Sequence, residues 1–208
     1  MRDTTCSSEL AGRAIKVNYL KLTKVRMYMD LSEFLHTREN EKILISYPSN
    51  EVFLSVSKTI ADAKGREKLG WLVFDELGKS RLETFFEKFM PYAPEFPGKI
   101  FKNIDTLENG IETIFCYGFH FAKPKCGIKP VFKLILQKGR TIYFFLLENS
   151  IEEKEEVIIK DLFDAIVKIE EKDITFEKKY TYSVREYVFP FRYFSGTFRI
   201  GEDYSILE

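Results

Sequence analysis

Seven consecutive residues, Thr141-Ile142-Tyr143-Phe144-Phe145-Leu146-Leu147, carry no charge and almost no polarity. Successive side chains of a strand point to opposite faces, so a strand of this composition has neither face to give to water. It belongs in the middle of a sheet covered on both sides. Lys42-Ile43-Leu44-Ile45-Ser46-Tyr47, Trp71-Leu72-Val73-Phe74 and Glu112 to Tyr117 are runs of the same kind. Helical patterns separate them. Strands alternating with helices specify an α/β fold with a mostly parallel sheet flanked by helices on both faces.

The helical segments follow from apolar spacing. Leu31, Phe34 and Leu35 form one stripe. Val52, Phe53, Val56 and Ile60 form a second, with Asn50 placed as its N-cap and Lys64-Gly65 closing it. Leu82, Phe85, Phe86 and Phe89 face inward on a third. Pro91 to Gly98, with three prolines and a glycine, reads as a loop, and Lys99 to Ile104 as a short strand. Helices are expected over Ile128 to Leu136 and Glu152 to Phe163, the latter with an acidic first turn that suits its dipole. Asp164 to Ile169 reads as a strand. From about residue 173 the period changes, and Ile174 to Tyr180, Val184 to Phe189 and Thr197 to Ile200 read as short strands of an antiparallel C-terminal ribbon. Residues 1–26 lack a clear period beyond a weak strand pattern over Ala14 to Leu20. They read as a flexible N-terminal arm, or as sequence upstream of a start at Met27 or Met29. Residues 27–208 form the single domain.

The charges exclude some classes of function. Lys+Arg and Asp+Glu number 32 each, so no excess positive charge draws the chain to nucleic acid, although a local basic patch fits within that balance. High charge with one Gln and six Asn is the composition of a hyperthermophile protein, or of an AT-rich genome. Three cysteines suggest no disulfide framework. No apolar run reaches membrane-spanning length, and the N-terminus shows no signal-peptide core, so a cytoplasmic protein is expected.

Candidate chemistry is sparse. Gly78-Lys79-Ser80 ends like a phosphate-binding G-x-x-x-x-G-K-[ST] loop, but Val73 stands where the first glycine is needed, and Asp75-Glu76 put negative charge where phosphates would lie. Cys116, His120 and Cys126 cluster without the tight pairs of a zinc site and read as a buried cysteine at a strand end with a loop histidine. With two histidines and no G-x-S-x-G elbow, a serine triad has no support. Asp75 and Glu76 sit at a strand's carboxyl end, where open parallel sheets bind ligands. As neighbours they point apart, which favours solvated carboxylates over an acid/base or cation-binding pair. The C-terminal aromatics, Tyr180 to Tyr204, mixed with Arg185, Arg192 and Arg199, suit a packed ribbon, a protein-binding surface or a base-stacking surface.

The order of elements resembles the KaiC-like branch of the RecA superfamily, and within it a degenerate group of uncharacterised proteins from hyperthermophilic archaea. The resemblance rests on Leu31 to Val52 (LSEFLHTRENEKILISYPSNEV), Gly70 to Phe86 (GWLVFDELGKSRLETFF) and Thr141 to Glu170 (TIYFFLLENSIEEKEEVIIKDLFDAIVKIE). It implies that the strand Lys42 to Ser46 should run into a P-loop, where Tyr47-Pro48-Ser49-Asn50 stands instead. The acid expected after the Walker B strand is missing, because Ile114-Phe115-Cys116-Tyr117 runs into Gly118. The expectation is therefore a pseudo-ATPase: a non-catalytic KaiC/RecA-like domain with no cofactor, no bound metal and no catalytic residue. It would bind a protein or peptide partner, itself included as a homo-oligomer. Ser49, Asn50, Asp75 and Glu76 are the only candidate cofactor-binding residues. The alternatives are a metal- or nucleotide-dependent enzyme working at the sheet's carboxyl end, and a nucleic-acid binder using the C-terminus.

Overall fold

The computed structural model describes residues 29–89, 98–174, 177–188 and 191–208. The predicted N-terminal arm, the loop from Pro91, the inward side chain of Phe89 and the turns at 175–176 and 189–190 lie outside the described residues. Helix α1 (Leu31–Thr37) leads into β1 (Lys42–Tyr47) and α2 (Asn50–Lys64). Then follow β2 (Leu69–Val73), α3 (Glu76–Phe89), β3 (Lys99–Phe101), β4 (Thr113–Tyr117), α4 (Phe119–Cys126), α5 (Lys129–Ile135), β5 (Thr141–Leu147) and α6 (Glu153–Lys160). Three antiparallel elements complete the chain after β6 (Ala165–Ile174): β7 (Glu177–Glu186), β8 (Arg192–Ile200) and β9 (Ile206–Leu207).

The strands form one sheet in the order β3-β2-β4-β5-β1-β6-β7-β8-β9. All pairs from β3 to β6 are parallel, and those from β6 onward are antiparallel. The period-2 alternation of apolar strands divides the core between two faces. Ile43, Ile45, Tyr47, Trp71, Phe115, Tyr117, Tyr143 and Phe145 point to one face and pack with α1, α2 and α3. Leu44, Leu72, Ile114, Cys116, Ile142, Phe144 and Leu146 point to the other, beneath α4, α5 and α6. The expectation of helices on both faces holds for this reason.

The first face is built from rings. Phe53, one turn into α2, touches Tyr47 at 5.6 Å, Tyr117 at 4.6 Å, Phe145 at 4.9 Å, Trp71 at 6.0 Å and Phe85 at 6.2 Å between centroids. It joins β1, β2, β4, β5 and α3 in one contact set. Tyr143 adds a polar tie, its buried hydroxyl donating to the Leu35 carbonyl of α1 at 2.6 Å.

Several local expectations change. Ser49, not Asn50, holds the N-cap position of α2, because its own backbone is extended, at φ −150° and ψ 159°, while Asn50 is already helical. The strand at Lys99 stops at Phe101, and Ile104–Thr106 forms a short 3-10 turn stabilised by Asn103, whose side chain accepts from the Asp105 N–H. Residues 119–126 form a helix that apolar spacing alone does not announce. The C-terminal strands are long rather than short: β6 and β7 have ten residues each and β8 nine. Tyr180, Tyr182 and Val184 are buried in unbroken alternation, so one inward face runs along the middle of β7 and ends at the exposed Lys178.

Replacing Phe53 by Ala removes a fully buried ring from five partners in a face that cannot close the gap. A loss of about 3–5 kcal/mol is expected. Urea unfolding should show a lower midpoint with an unchanged slope.

Candidate functional site

The carboxyl end of the parallel strands gathers the loops where ligands bind in open sheets. At its centre β1 passes into α2 through Pro48 and Ser49 alone. Tyr47 before this turn and Phe53 after it both pack into the ring cluster, and Tyr47 is only 1% exposed. Burial pushes the hydroxyls of Tyr47 and Tyr117 well above the ordinary tyrosine value, so both stay neutral.

The N-terminus of α2 meets the C-terminal ribbon. β6 pairs with β1 only over Ala165 to Lys168, then continues with β7 beyond the sheet's edge. This overhang brings Tyr180 and Lys178 of β7 to Glu51, in the first turn of α2. The Tyr180 hydroxyl donates to Glu51 Oε2 at 3.2 Å, and Lys178 Nζ lies 3.2 Å from the same oxygen. Burial and then the Glu51 charge push the Tyr180 hydroxyl up to about 12, which keeps its proton in place as a donor. The buried Ser49 hydroxyl sits beside Tyr180 without a well-formed hydrogen bond, and Asn50 is exposed. A carboxylate thus already occupies the positive end of the α2 dipole.

Asp75 and Glu76 lie at the end of β2. Asp75 Oδ1 accepts the Gly78 N–H at 2.7 Å, so it caps α3 instead of standing free in solvent. Glu76 opens the helix and pairs with Lys102, which holds its carboxyl below the usual range. The two carboxylates are engaged separately. In strand order β4 and β5 stand between β2 and β1, a spacing of roughly 14 Å at ~4.8 Å per strand. Ser49 and Asn50 therefore do not share a site with Asp75 and Glu76.

Gly78, Lys79 and Ser80 lie inside α3, not in a loop before it. Gly78 permits a close backbone approach. A Cβ at Gly118, which has φ +77, would lie 3.1 Å from the Gly78 Cα, so the start of α3 and the turn after β4 touch with no room for side chains. Lys79 is spent on an i,i+4 pair with Glu83 at 3.4 Å. Cys116 is buried in β4, while His120 and Cys126 ride on α4 rather than on a loop. No group of three metal-ligating side chains occurs among the described residues.

In the ribbon, Tyr180, Tyr182 and Phe198 are buried core residues. Tyr187, Phe191 and Tyr193 are 49%, 73% and 64% exposed at the β7–β8 end, with Val188 beside them. Arg185, Glu186, Tyr187, Phe191, Arg192 and Tyr193 line an open concavity of about 520 Å³ there. Glu186 pairs with Ala165 at the start of β6, which places this tip at the opposite end of the sheet from the α2 turn.

A second set of residues, which sequence reasoning missed, lines a cleft elsewhere at the carboxyl end of the sheet. Leu72, Phe74, Lys102, Asn103, Ile104, Lys125, Cys126, Lys129, Pro130 and Lys133 surround a cleft of about 470 Å³. The readable signal was local charge. No Asp or Glu occurs between Glu112 and Glu148, a stretch holding Lys123, Lys125, Lys129, Lys133, Lys138 and Arg140.

By sequence the chain matches no family model, and no curated protein matches it either. Its architecture does have counterparts, and the fold is KaiC/RecA-like. A KaiC-like protein of the hyperthermophilic archaeon Pyrococcus horikoshii superposes with a TM-score of 0.57 at 11% identity, over 81% of this chain and 89% of that one. The flagellar accessory protein FlaH of Methanocaldococcus jannaschii gives 0.59 at 11% identity, over 86% and 95%. The RadB recombinase gives 0.53 at 7% identity, over 82% and 91%. No helix among the described residues is long and apolar enough to cross a membrane.

The half-buried His120 leads to a pH effect. Burial, opposed by the Asp75 carboxylate, lowers its pKa from the ordinary 6.5. On acidification the unfolded chain therefore takes this proton first. The stability linked to His120 is present above pH 6.5 and is lost as pH falls through 6.5 toward the lowered value. Between about pH 7.5 and about pH 5.5 the melting temperature of the wild type should fall more than that of His120→Asn, which keeps polarity without titrating.

Proposed function

We propose that this chain is a KaiC/RecA-like domain that does not hydrolyse nucleoside triphosphates and acts by binding another polypeptide through the tip of its C-terminal ribbon. The observation that carries the first half is Glu51. A phosphate at the start of α2 would need positive charge and free backbone N–H groups. It would meet a carboxylate tied to Lys178 and Tyr180. No lysine stands in the turn to offset charge on a transferred phosphoryl group. Asp75 and Glu76 give the enzyme alternative no support, since one caps a helix and the other pairs with a lysine.

The second half rests on the tip. Exposed Tyr187, Phe191 and Tyr193 with Arg185 and Arg192 have the composition of an interface core. Arg38 holds the base of the tip. It pairs with Glu186, and its guanidinium lies 4.2 Å from the Phe34 ring centroid. Arg38 thereby anchors the Glu186 side of the surface a partner would meet.

Two measurements test the reading. Phosphate release from ATP with Mg²⁺ should not exceed the protein-free rate, and sustained release by the purified chain would overturn the first half. For the second, Phe191→Ser/Tyr193→Ser alters only exposed rings and should leave the melting temperature nearly unchanged. Light scattering on the purified chain tests a second copy as partner, and photo-crosslinking from position 187 in cell extract tests a foreign one. Association that the double variant weakens at least tenfold is expected. A chain that stays monomeric and forms no tip-dependent adduct overturns the binding reading.

A further inference from the structure

The cleft of about 470 Å³ between β3 and the α4–α5 pair falls within the ~300–1,000 Å³ typical of small-molecule sites. It lies at the carboxyl end of β2. There the chain leaves β2 toward one face of the sheet, through α3, and leaves β4 toward the other, through α4. Between the two strand ends Gly78 and Gly118 close the gap, so the open space lies on the α4–α5 side, between the residues after β3 and the two helices, apart from the β1–α2 turn.

The lining has two parts. Leu72, Phe74, Ile104 and Pro130 make an apolar floor. Phe74 is fixed there by Phe119 at 5.4 Å and Phe144 at 6.0 Å. Lys102, Lys125, Lys129 and Lys133 ring it, and no carboxylate is among the lining residues. Glu76 holds Lys102 and Asp105 lies 3.8 Å from Lys133, which restrains two of the four ammonium groups from outside the cleft. Lys125 and Lys129 have no carboxylate partner among the described residues. Lys129 and Lys133 stand at i,i+4 on α5, where like charges repel. Lys125 and Lys133 stand in the last turns of α4 and α5, where the helix dipole favours a cation, but Lys129 opens α5, where the dipole opposes it.

The geometry points to a binding site for a small phosphate ester, with its phosphate on Lys125 and Lys129 and its apolar body on Leu72, Phe74 and Ile104. Lysine binds phosphate as a point charge, and a dianion offsets more of this field than a single carboxylate does. The apolar floor separates such a ligand from free inorganic phosphate. A bounded cleft of this volume suits a small molecule better than the long track a nucleic-acid strand needs.

The experiment uses 1-naphthyl phosphate as probe, with 1-naphthol and inorganic phosphate as its two halves, titrated into the full chain by calorimetry. The expected result is binding of the ester, with each half bound at least tenfold more weakly. Lys125→Gln/Lys129→Gln should weaken the ester about tenfold and leave the melting temperature equal or higher, since repulsion is relieved. Cys126 lines the cleft, so its alkylation should slow in the presence of the ester. Absence of ester binding, or equal affinity in wild type and double variant, overturns the proposal. So does a single-stranded oligonucleotide that displaces the ester and binds more tightly through the same two lysines. None of these outcomes bears on ATP hydrolysis or on the ribbon tip.

Discussion

The packing of Phe53 governs this structure. One ring, placed a single turn into α2, meets rings from β1, β2, β4, β5 and α3. Close-packed interiors tolerate little change in volume, so the position of this ring fixes the distance from the end of β1 to the start of α2. Tyr47 must reach the same cluster from the last residue of the strand. Between them the chain has room for Pro48 and Ser49 before the helix begins. A longer, glycine-rich connection would lift α2 and draw Phe53 out of its partners.

The ribbon follows from the same end of the sheet. β6 pairs with β1 for only four residues, then keeps β7 as a partner beyond the point where the parallel sheet stops. β8 joins it only from Tyr180 onward, and so narrow an overhang is weak alone. This one leans on α2 through Tyr180, which stacks on Phe198 at 5.4 Å and donates to Glu51. Glu51 therefore satisfies the helix dipole and ties down the ribbon together. The two roles reinforce each other, since the helix end lowers the cost of holding a carboxylate beside a buried tyrosine.

Much of the fold was legible because the informative residues are dense. Apolar runs such as Ile43 to Ile45 and Thr141 to Leu147 can only be central strands, and the change of period from about residue 173 marks the antiparallel elements. Less of the detail was legible. Helix α4 hides because Pro124 lies within it and Gly127 ends it, both of which read as loop signals. Asp75 reads as a free carboxylate until the helix start is known to fall at Glu76, which makes it a cap. The continuous inward face of β7 was obscured because Lys178, Lys179, Thr181 and Ser183 interrupt the aromatic signal. The lysine cleft draws on β2, β3, α4 and α5, and no single-segment pattern joins residues from four elements.

The two faces of the sheet now differ in what they leave for function. On the Phe53 face the rings fill the space beneath the carboxyl-end loops. The one charge placed at the α2 terminus is negative and already paired. On the opposite face the strands present smaller residues, Leu72, Cys116 and Leu146, and the short helices α4 and α5 cover them with a break at Gly127. Two short helices with a bend between them cannot seal a sheet as a single long helix does, and the space left at the end of β2 is the cleft. Its charge has a separate origin. The acid-free stretch after Glu112 supplies the cations. Of these, Lys123 alone reaches the acidic first turn of α6, pairing with Glu155 at 2.6 Å. Lys125 lies two residues further along, at the end of the helix, and Lys129 and Lys133 follow beyond the bend. The break in the helix that opens the space therefore also carries these three lysines to the cleft wall.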